Sequence, residues 1–166
     1  MIIILKDKET LEVDDFSFKC SIGKKGVTNQ KIEGDKKTPQ GTFTLGNLYY
    51  RGDRKKKPNT KLKCINIKKD MGWCDDPKSK KNYNRLIKIK NKNNFSYEKL
   101  YRNNSIYNYF ININFNQKKI KLGKGSAIFL HITKNYKKTL GCIALSEKDF
   151  IILAKLVNKK TKIKIY

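Results

Sequence analysis

The residues of this 166-residue chain best suited to covalent chemistry are its single histidine, His131, and a cysteine eleven positions later, Cys142. His131 lies near the end of an apolar run, Ser126 to Ile132, whose β-branched and aromatic residues read as a buried strand. Cys142 follows Gly141 directly, and Cys142 to Leu145 reads as a second short strand, with a Lys-rich polar loop between the two. Two strand ends joined by a loop can bring an imidazole and a thiol within hydrogen-bond reach. A thiol of ordinary acidity needs such a base, or a locally lowered pKa, to attack a carbonyl at neutral pH. Gly141 lets a substrate come close to the backbone, where neighbouring N–H groups can hold an oxyanion. Taken singly, a cysteine and a histidine in apolar runs are ordinary core residues. Their combination is what points to a nucleophile and its base.

The pattern resembles the L,D-transpeptidase catalytic domain family (YkuD-type), whose signature is a histidine on one strand, a loop, and Ser/Thr-x-Gly-Cys opening the next strand. The matching residues are His131 and Thr139-Leu140-Gly141-Cys142. The resemblance implies Cys142 as nucleophile, His131 as general base and the backbone at Gly141 as oxyanion hole. Glu33-Gly34-Asp35-Lys36-Lys37-Thr38-Pro39-Gln40-Gly41-Thr42-Phe43 matches a second family stretch, E-G-D-x-x-T-P-x-G-x-[FY]. Lys31, Glu33 and Asp35 then either shape the cleft or belong to a rigid turn held by Pro39 and Gly41. Trp73-Cys74-Asp75-Asp76-Pro77, followed by Tyr83-Asn84-Arg85, is similar to a largely proteobacterial branch that carries an insertion here. Trp73 and Tyr83 can wall a cleft, and Asp75, Asp76 and Arg85 can bind a polar ligand. Pinning a long loop is the slightly favoured role for all five. Asn116 corresponds to an asparagine that the family often places near the histidine strand. The expected substrate-binding set is Asn116, Thr139, Ser126 and Arg85.

The implied substrate is the stem peptide of peptidoglycan. Cys142 would attack the carbonyl of the third stem residue, a diamino acid, and expel the terminal D-alanine. The thioester would pass to an amine, giving a 3–3 crosslink or an exchanged D-amino acid, or to water in a carboxypeptidase-type hydrolase of muropeptides. No metal or organic cofactor is expected, and a monomer is. The chain departs from the family's main branch in three ways. Ala144 stands where that branch has an arginine two residues after the cysteine, with Arg85 or Lys134 as stand-in cations; Ile132 replaces the usual glycine after the histidine; and the loop to Cys142 is shorter. The substrate class implies the periplasm or cell envelope, although no signal peptide and no transmembrane-length apolar run is visible.

The net charge of +25 comes from 39 basic against 14 acidic side chains, a balance that attracts polyanions. A non-catalytic basic module for nucleic acid or cell wall is therefore the reading from another class. However, only Arg51, Arg54, Arg85 and Arg102 are arginines, the fork-shaped cations that read phosphates and bases. The lysines are spread through the chain among asparagines and isoleucines, as a bias towards A/T-rich codons produces, so nucleic acid is not the expected partner. Cys20, Cys64, Cys74 and Cys142 lack C-x-x-C spacing and zinc-site patterning. A disulfide among the first three stays open.

A 38% apolar fraction over this length suits one domain spanning 1–166. Strands are expected at Ile2–Leu5, Leu11–Val13, Phe16–Ile22, Thr42–Leu45, Leu62–Ile67, Ile106–Phe115 and Thr161–Tyr166, besides the two that carry His131 and Cys142. In Ile106–Phe115 the isoleucines alternate with asparagines, which predicts a strand with one polar face; if that face lines the cleft, Asn116 lies near the His131 strand. Ser146 reads as the N-cap of a helix whose core face is Phe150, Leu153, Ala154 and Val157. A shorter helix is expected at Phe95–Tyr101. The fold class is mainly β: a YkuD-like β-sandwich with one or two short helices and long surface loops.

Overall fold

The computed structural model describes residues 1–90 and 92–166. In chain order the elements are β1 (Ile2–Leu5), β2 (Thr10–Val13), β3 (Phe16–Ser21), β4 (Val27–Thr28), β5 (Thr38–Pro39), β6 (Gly41–Tyr50), β7 (Cys64–Asn66), β8 (Met71–Cys74), β9 (Leu86–Lys88), β10 (Tyr97–Lys99), β11 (Tyr109–Ile113), β12 (Phe129–Thr133), β13 (Ile143–Ser146), α1 (Glu147–Leu156) and β14 (Lys162–Ile165). Among the described residues, nine strands form one sheet in the order β11-β12-β13-β3-β2-β1-β14-β6-β7, and a further pairing of β11 with β6 closes it. The length of β6 makes the closure possible, because Gly41–Thr44 pairs with β14 while Leu45–Tyr50 pairs with β11. β3 turns the opposite corner, with Phe16–Lys19 on β2 and Cys20–Ser21 on β13. The result is a flattened sandwich whose two layers share β3 and β6.

Period-two patterning explains which side chains meet inside. β14 reads Lys-Ile-Lys-Ile and buries both isoleucines, which lie opposite Ile3 and Leu5 of β1 in a parallel pair. Together with Leu11, Leu45, Ile111, Leu130 and Leu145 they form the main core. α1 closes it with Phe150, Leu153 and Ala154, and Phe150 stacks on Tyr109 at 5.8 Å. Its start is the expected one: Ser146 Oγ accepts the Asp149 N–H at 3.1 Å, and Glu147 and Asp149 sit in the positive first turn.

Two expectations are corrected. Phe95–Tyr101 is no helix; it contains the strand β10, which pairs with β8. A peptide this short gains little from helix propensity alone, so a ladder of three residues and burial of Leu100 decide its state. The asparagine face of β11 is not a cleft wall either: all five residues of the strand are buried, and none borders the cleft into which His131 opens. The alternation itself holds, but its second face is covered by a second apolar cluster that includes Tyr49, Trp73, Tyr107, Phe110 and Phe129. Trp73 enters that cluster from the small sheet β10-β8-β9 and meets Phe129 edge-on at 5.1 Å.

Arg51 is only 2% exposed despite the run of charged residues that follows it. Its guanidinium pairs with Asp53, donates to the Arg102 carbonyl and lies over the Tyr101 ring at 3.5 Å. The four cysteines are unbridged, which answers the open disulfide question for this structure. Among the described residues no helix is long and apolar enough to cross a membrane.

Candidate active site

β12 and β13 run parallel, with Leu130 opposite Ile143 and His131 opposite Ala144. Side chains on paired strands alternate together, so Leu130, Ile132, Ile143 and Leu145 face the main core. Phe129, His131, Ala144 and, one step before the strand, Cys142 share the other face. There a cleft of about 830 Å³ opens, lined by both His131 and Cys142. The thiol and the imidazole are thus brought to one place by strand register, each only slightly exposed, at 9% and 7%.

The thiol is held from the backbone. Cys142 Sγ accepts the Phe129 N–H and donates to the Ala127 carbonyl, both at 3.3 Å. Ala127 has φ +52, a left-handed conformation disfavoured for any residue with a Cβ. A strained residue directly behind a candidate nucleophile is where such strain is typically found. His131 Nδ1 lies 2.9 Å from the Ile132 carbonyl, which assigns the proton to Nδ1 and leaves Nε2 as an acceptor. Burial is the first cause of both pKa shifts. It pushes the Cys142 thiol up to about 12, with the Glu98 carboxylate adding to it, and the His131 imidazole down to about 4. The resting pair is therefore neutral thiol and neutral imidazole, so attack requires proton transfer as it occurs, not a preformed thiolate.

This resting state has a readout. Iodoacetamide should alkylate Cys142 slowly at pH 8, with the rate rising about tenfold per pH unit and no plateau below pH 10, because reaction follows the thiolate fraction. Half-buried Cys64 should react first. Peptide mapping after timed alkylation measures both rates, and a Cys142 profile that levels off near pH 7 would contradict the neutral pair.

The loop before the cysteine is tightly built. Thr139 Oγ accepts the Gly141 N–H at 3.1 Å and donates to the Cys142 carbonyl at 2.6 Å. Thr139 is tied in turn to the Ile22 carbonyl and to the Lys24 N–H. Gly141 has φ +141, and a Cβ there would stand 2.9 Å from the Lys37 carbonyl, so the G in front of the cysteine is sterically required. The Gly141 N–H expected in the oxyanion hole is thus engaged by Thr139 in the resting structure.

A match to a family model for the YkuD L,D-transpeptidase catalytic domain extends over residues 2–165. The chain belongs to that family. The structure of Bdellovibrio bacteriovorus Bd1075 is similar at 14% identity and TM-score 0.51, covering 99% of this chain and 47% of that one. The crystal structure of the helical cell shape determining protein Pgp2 from Campylobacter jejuni is similar at 19% identity and TM-score 0.51, covering 99% and 46%. The chain thus spans less than half the length of either protein, and at these identities the likeness is one of fold. No curated protein matches the chain in sequence. The mainly β, YkuD-like fold class is as expected.

Within this YkuD-family fold the expected site residues separate. Cys142, His131, Thr139 and Ser126 line the cleft. Ser126 is buried and its hydroxyl has no hydrogen-bond partner among the described residues. Arg85 and Asn116 are not brought there. Arg85 is an exposed residue outside the cleft lining. Asn116, at φ +52 in the turn after β11, donates to the Lys121 and Gly125 carbonyls and accepts the Lys121 N–H. Its side chain closes a loop, because a left-handed turn residue with a short amide is well placed to bond its own neighbours.

The two other family stretches brace the cleft. Asp35 accepts from Lys31 Nζ and from the Ile32 and Lys37 N–H groups, while Tyr83 donates to Glu33 and accepts the Gly125 N–H. Lys31 and Glu33 also line the cleft, so shaping and rigidity are one role. Asp76 accepts the Lys78 N–H and Asp75 bonds Ser96 Oγ, pinning the insertion. Sequence reasoning passed over Asn84, Glu98, Arg102 and Tyr107. No local spacing marks Glu98 and Arg102, since the first lies on β10 and the second in the loop after it.

Proposed function

We propose that residues 1–166 form one catalytic unit that performs cysteine-dependent acyl transfer on peptidoglycan stem peptides. Family membership supports the reaction class. The parallel pairing of β1 with β14, which joins the two ends of the chain, supports a single unit. The observation that carries the reading is the shared face of β12 and β13, from which the only imidazole and a backbone-held thiol open into one cleft.

The steps follow from the neutral resting pair. A bound stem peptide excludes water and presents the carbonyl of its third residue to Cys142. The thiol proton passes to His131 Nε2 as the sulfur adds to the carbonyl carbon. The oxyanion is held by the N–H of Cys142, joined by that of Gly141 once its bond to Thr139 is exchanged. Collapse breaks the peptide C–N bond, and the imidazolium returns its proton to the departing D-alanine amine. An acceptor amine then attacks the thioester with His131 as base, and the thiol is restored. Water in place of the amine gives a carboxypeptidase. Ser126 and Thr139 are the substrate-binding residues of this reading.

Intact-mass spectrometry of products from a disaccharide-tetrapeptide, with and without an acceptor stem, tests it. Loss of D-alanine with joining to the acceptor marks a transpeptidase, and replacement of D-alanine by water a hydrolase. An unchanged tetrapeptide over many hours would remove the reading.

A further inference from the structure

Three of the four arginines lie away from the cleft: Arg51 is buried against Asp53, Arg54 donates to the Asn103 and Asn104 carbonyls, and Arg85 is exposed elsewhere. Arg102 is the exception, and it lines the same wall as His131. Its guanidinium lies over the Tyr107 ring, 4.8 Å from the centroid, and that ring meets the His131 imidazole edge-on at 5.7 Å. Arg102 Nε donates to the Lys99 carbonyl at 3.0 Å and Nη2 to Glu98 at 2.8 Å. Glu98 also accepts the Tyr107 hydroxyl at 2.5 Å. Three groups therefore fix the plane of the guanidinium.

Two of the guanidinium nitrogens are so engaged, while Nη1 has no partner among the described residues. The Arg102 side chain is 33% exposed, against 2% for the structural Arg51. A planar cation, aimed by neighbours and open along one edge, is built for a carboxylate, which it can meet with charge-assisted bonds. β13 supplies no such cation, since the residue opposite His131 is Ala144. The rim lysines Lys134, Lys137 and Lys138 are exposed on a loop and lack this aiming.

We propose that Arg102, positioned by Glu98 and Tyr107, binds a carboxylate of the peptide processed at Cys142 and sets the cleft's preference for anionic stems. The proposal rests on the acyl-transfer reading above. A stem tetrapeptide whose third residue is a diaminodicarboxylic acid offers two carboxylates near the scissile bond, one on the terminal D-alanine and one on the far centre of that residue. Either meets the same guanidinium chemistry.

The test compares three tetrapeptides, the free diacid, its D-alaninamide, and its diamino-acid carboxamide, with the full chain as wild type, Arg102→Gln and Arg102→Lys. In the wild type, kcat/KM should be about 10- to 100-fold higher for the diacid than for one of the two amides, the size of a charge-assisted hydrogen bond. The amide that suffers identifies the carboxylate that is bound. In Arg102→Gln this acid-to-amide ratio should collapse to near one, and Arg102→Lys should restore part of it. A ratio that persists in Arg102→Gln overturns the proposal, as does a wild type indifferent to both amides. So does an equal loss on all three peptides, which would mark Arg102 as merely structural. A wild type that cleaves none of them overturns the acyl-transfer reading and this inference with it.

Discussion

Cys142→Ala should lower kcat/KM on a stem tetrapeptide by at least about 10⁴-fold, and His131→Gln by a similar factor, with both proteins still folded. The size follows from the two side chains acting as a unit, in which loss of either partner costs nearly as much as loss of both. The double variant should therefore be no worse than either single one. Burial holds the imidazole down at about 4, so it stays unprotonated, and free to accept a proton, well below the usual histidine range. The acid limb of kcat/KM should accordingly fall near pH 4 rather than near 6.5. The sign is fixed, because a protonated imidazole cannot take the thiol proton. Cys142 Sγ makes only two weak bonds of 3.3 Å, so its removal should shift Tm by no more than a few degrees. Thermal melts beside product analysis separate folding from chemistry, and a fully active Cys142→Ala protein would end the mechanism.

The largest stability effect should come from a residue that touches no substrate. Asn84→Ala should destabilise the protein by about 3–5 kcal/mol, lowering Tm by roughly 10 °C. Asn84 is 2% exposed and bonds with all of its amide. Oδ1 accepts from Trp73 Nε1 and the Ala127 N–H, and Nδ2 donates to the Phe115 and Asn116 carbonyls. Truncation leaves two buried donors and two partly buried carbonyls without a partner, a buried group costing about 1–3 kcal/mol, although relaxation recovers part of it. Asn84→Asp should be nearly as damaging, since a carboxylate oxygen would then face two carbonyls. The effect reaches the site because Ala127, held by Asn84, presents its carbonyl to the thiol. Looser tethering should speed alkylation of Cys142. Denaturation by urea measures the first effect, and a change below 1 kcal/mol would show that Asn84 is no hub.

Much of the candidate site was legible because covalent chemistry restricts which residue types can serve. One histidine, one Gly-Cys step and the threonine before it are local features, and local features survive in a string of letters. Strands with one buried face were legible for the same reason, since Lys-Ile-Lys-Ile in β14 carries its own period. The polar face of β11 misled because the cluster that covers it draws on Tyr49, Trp73 and Phe129, distant in the chain. Asn116 and Arg85 misled because a polar residue near a motif can serve the loop as easily as the ligand.

The chain's own order of residues determined the candidate thiol and imidazole, the required glycine, the capped helix and the mainly β class, each expressed within a few neighbouring positions. Folding alone decided that the resting pair is neutral, since that depends on how completely other segments bury it. It decided as well that Asn84 braces the thiol's tether, and that Arg102, not Arg85, is the guanidinium in the cleft. These are relations between residues tens of positions apart, fixed by strand register and burial, and no local pattern encodes them.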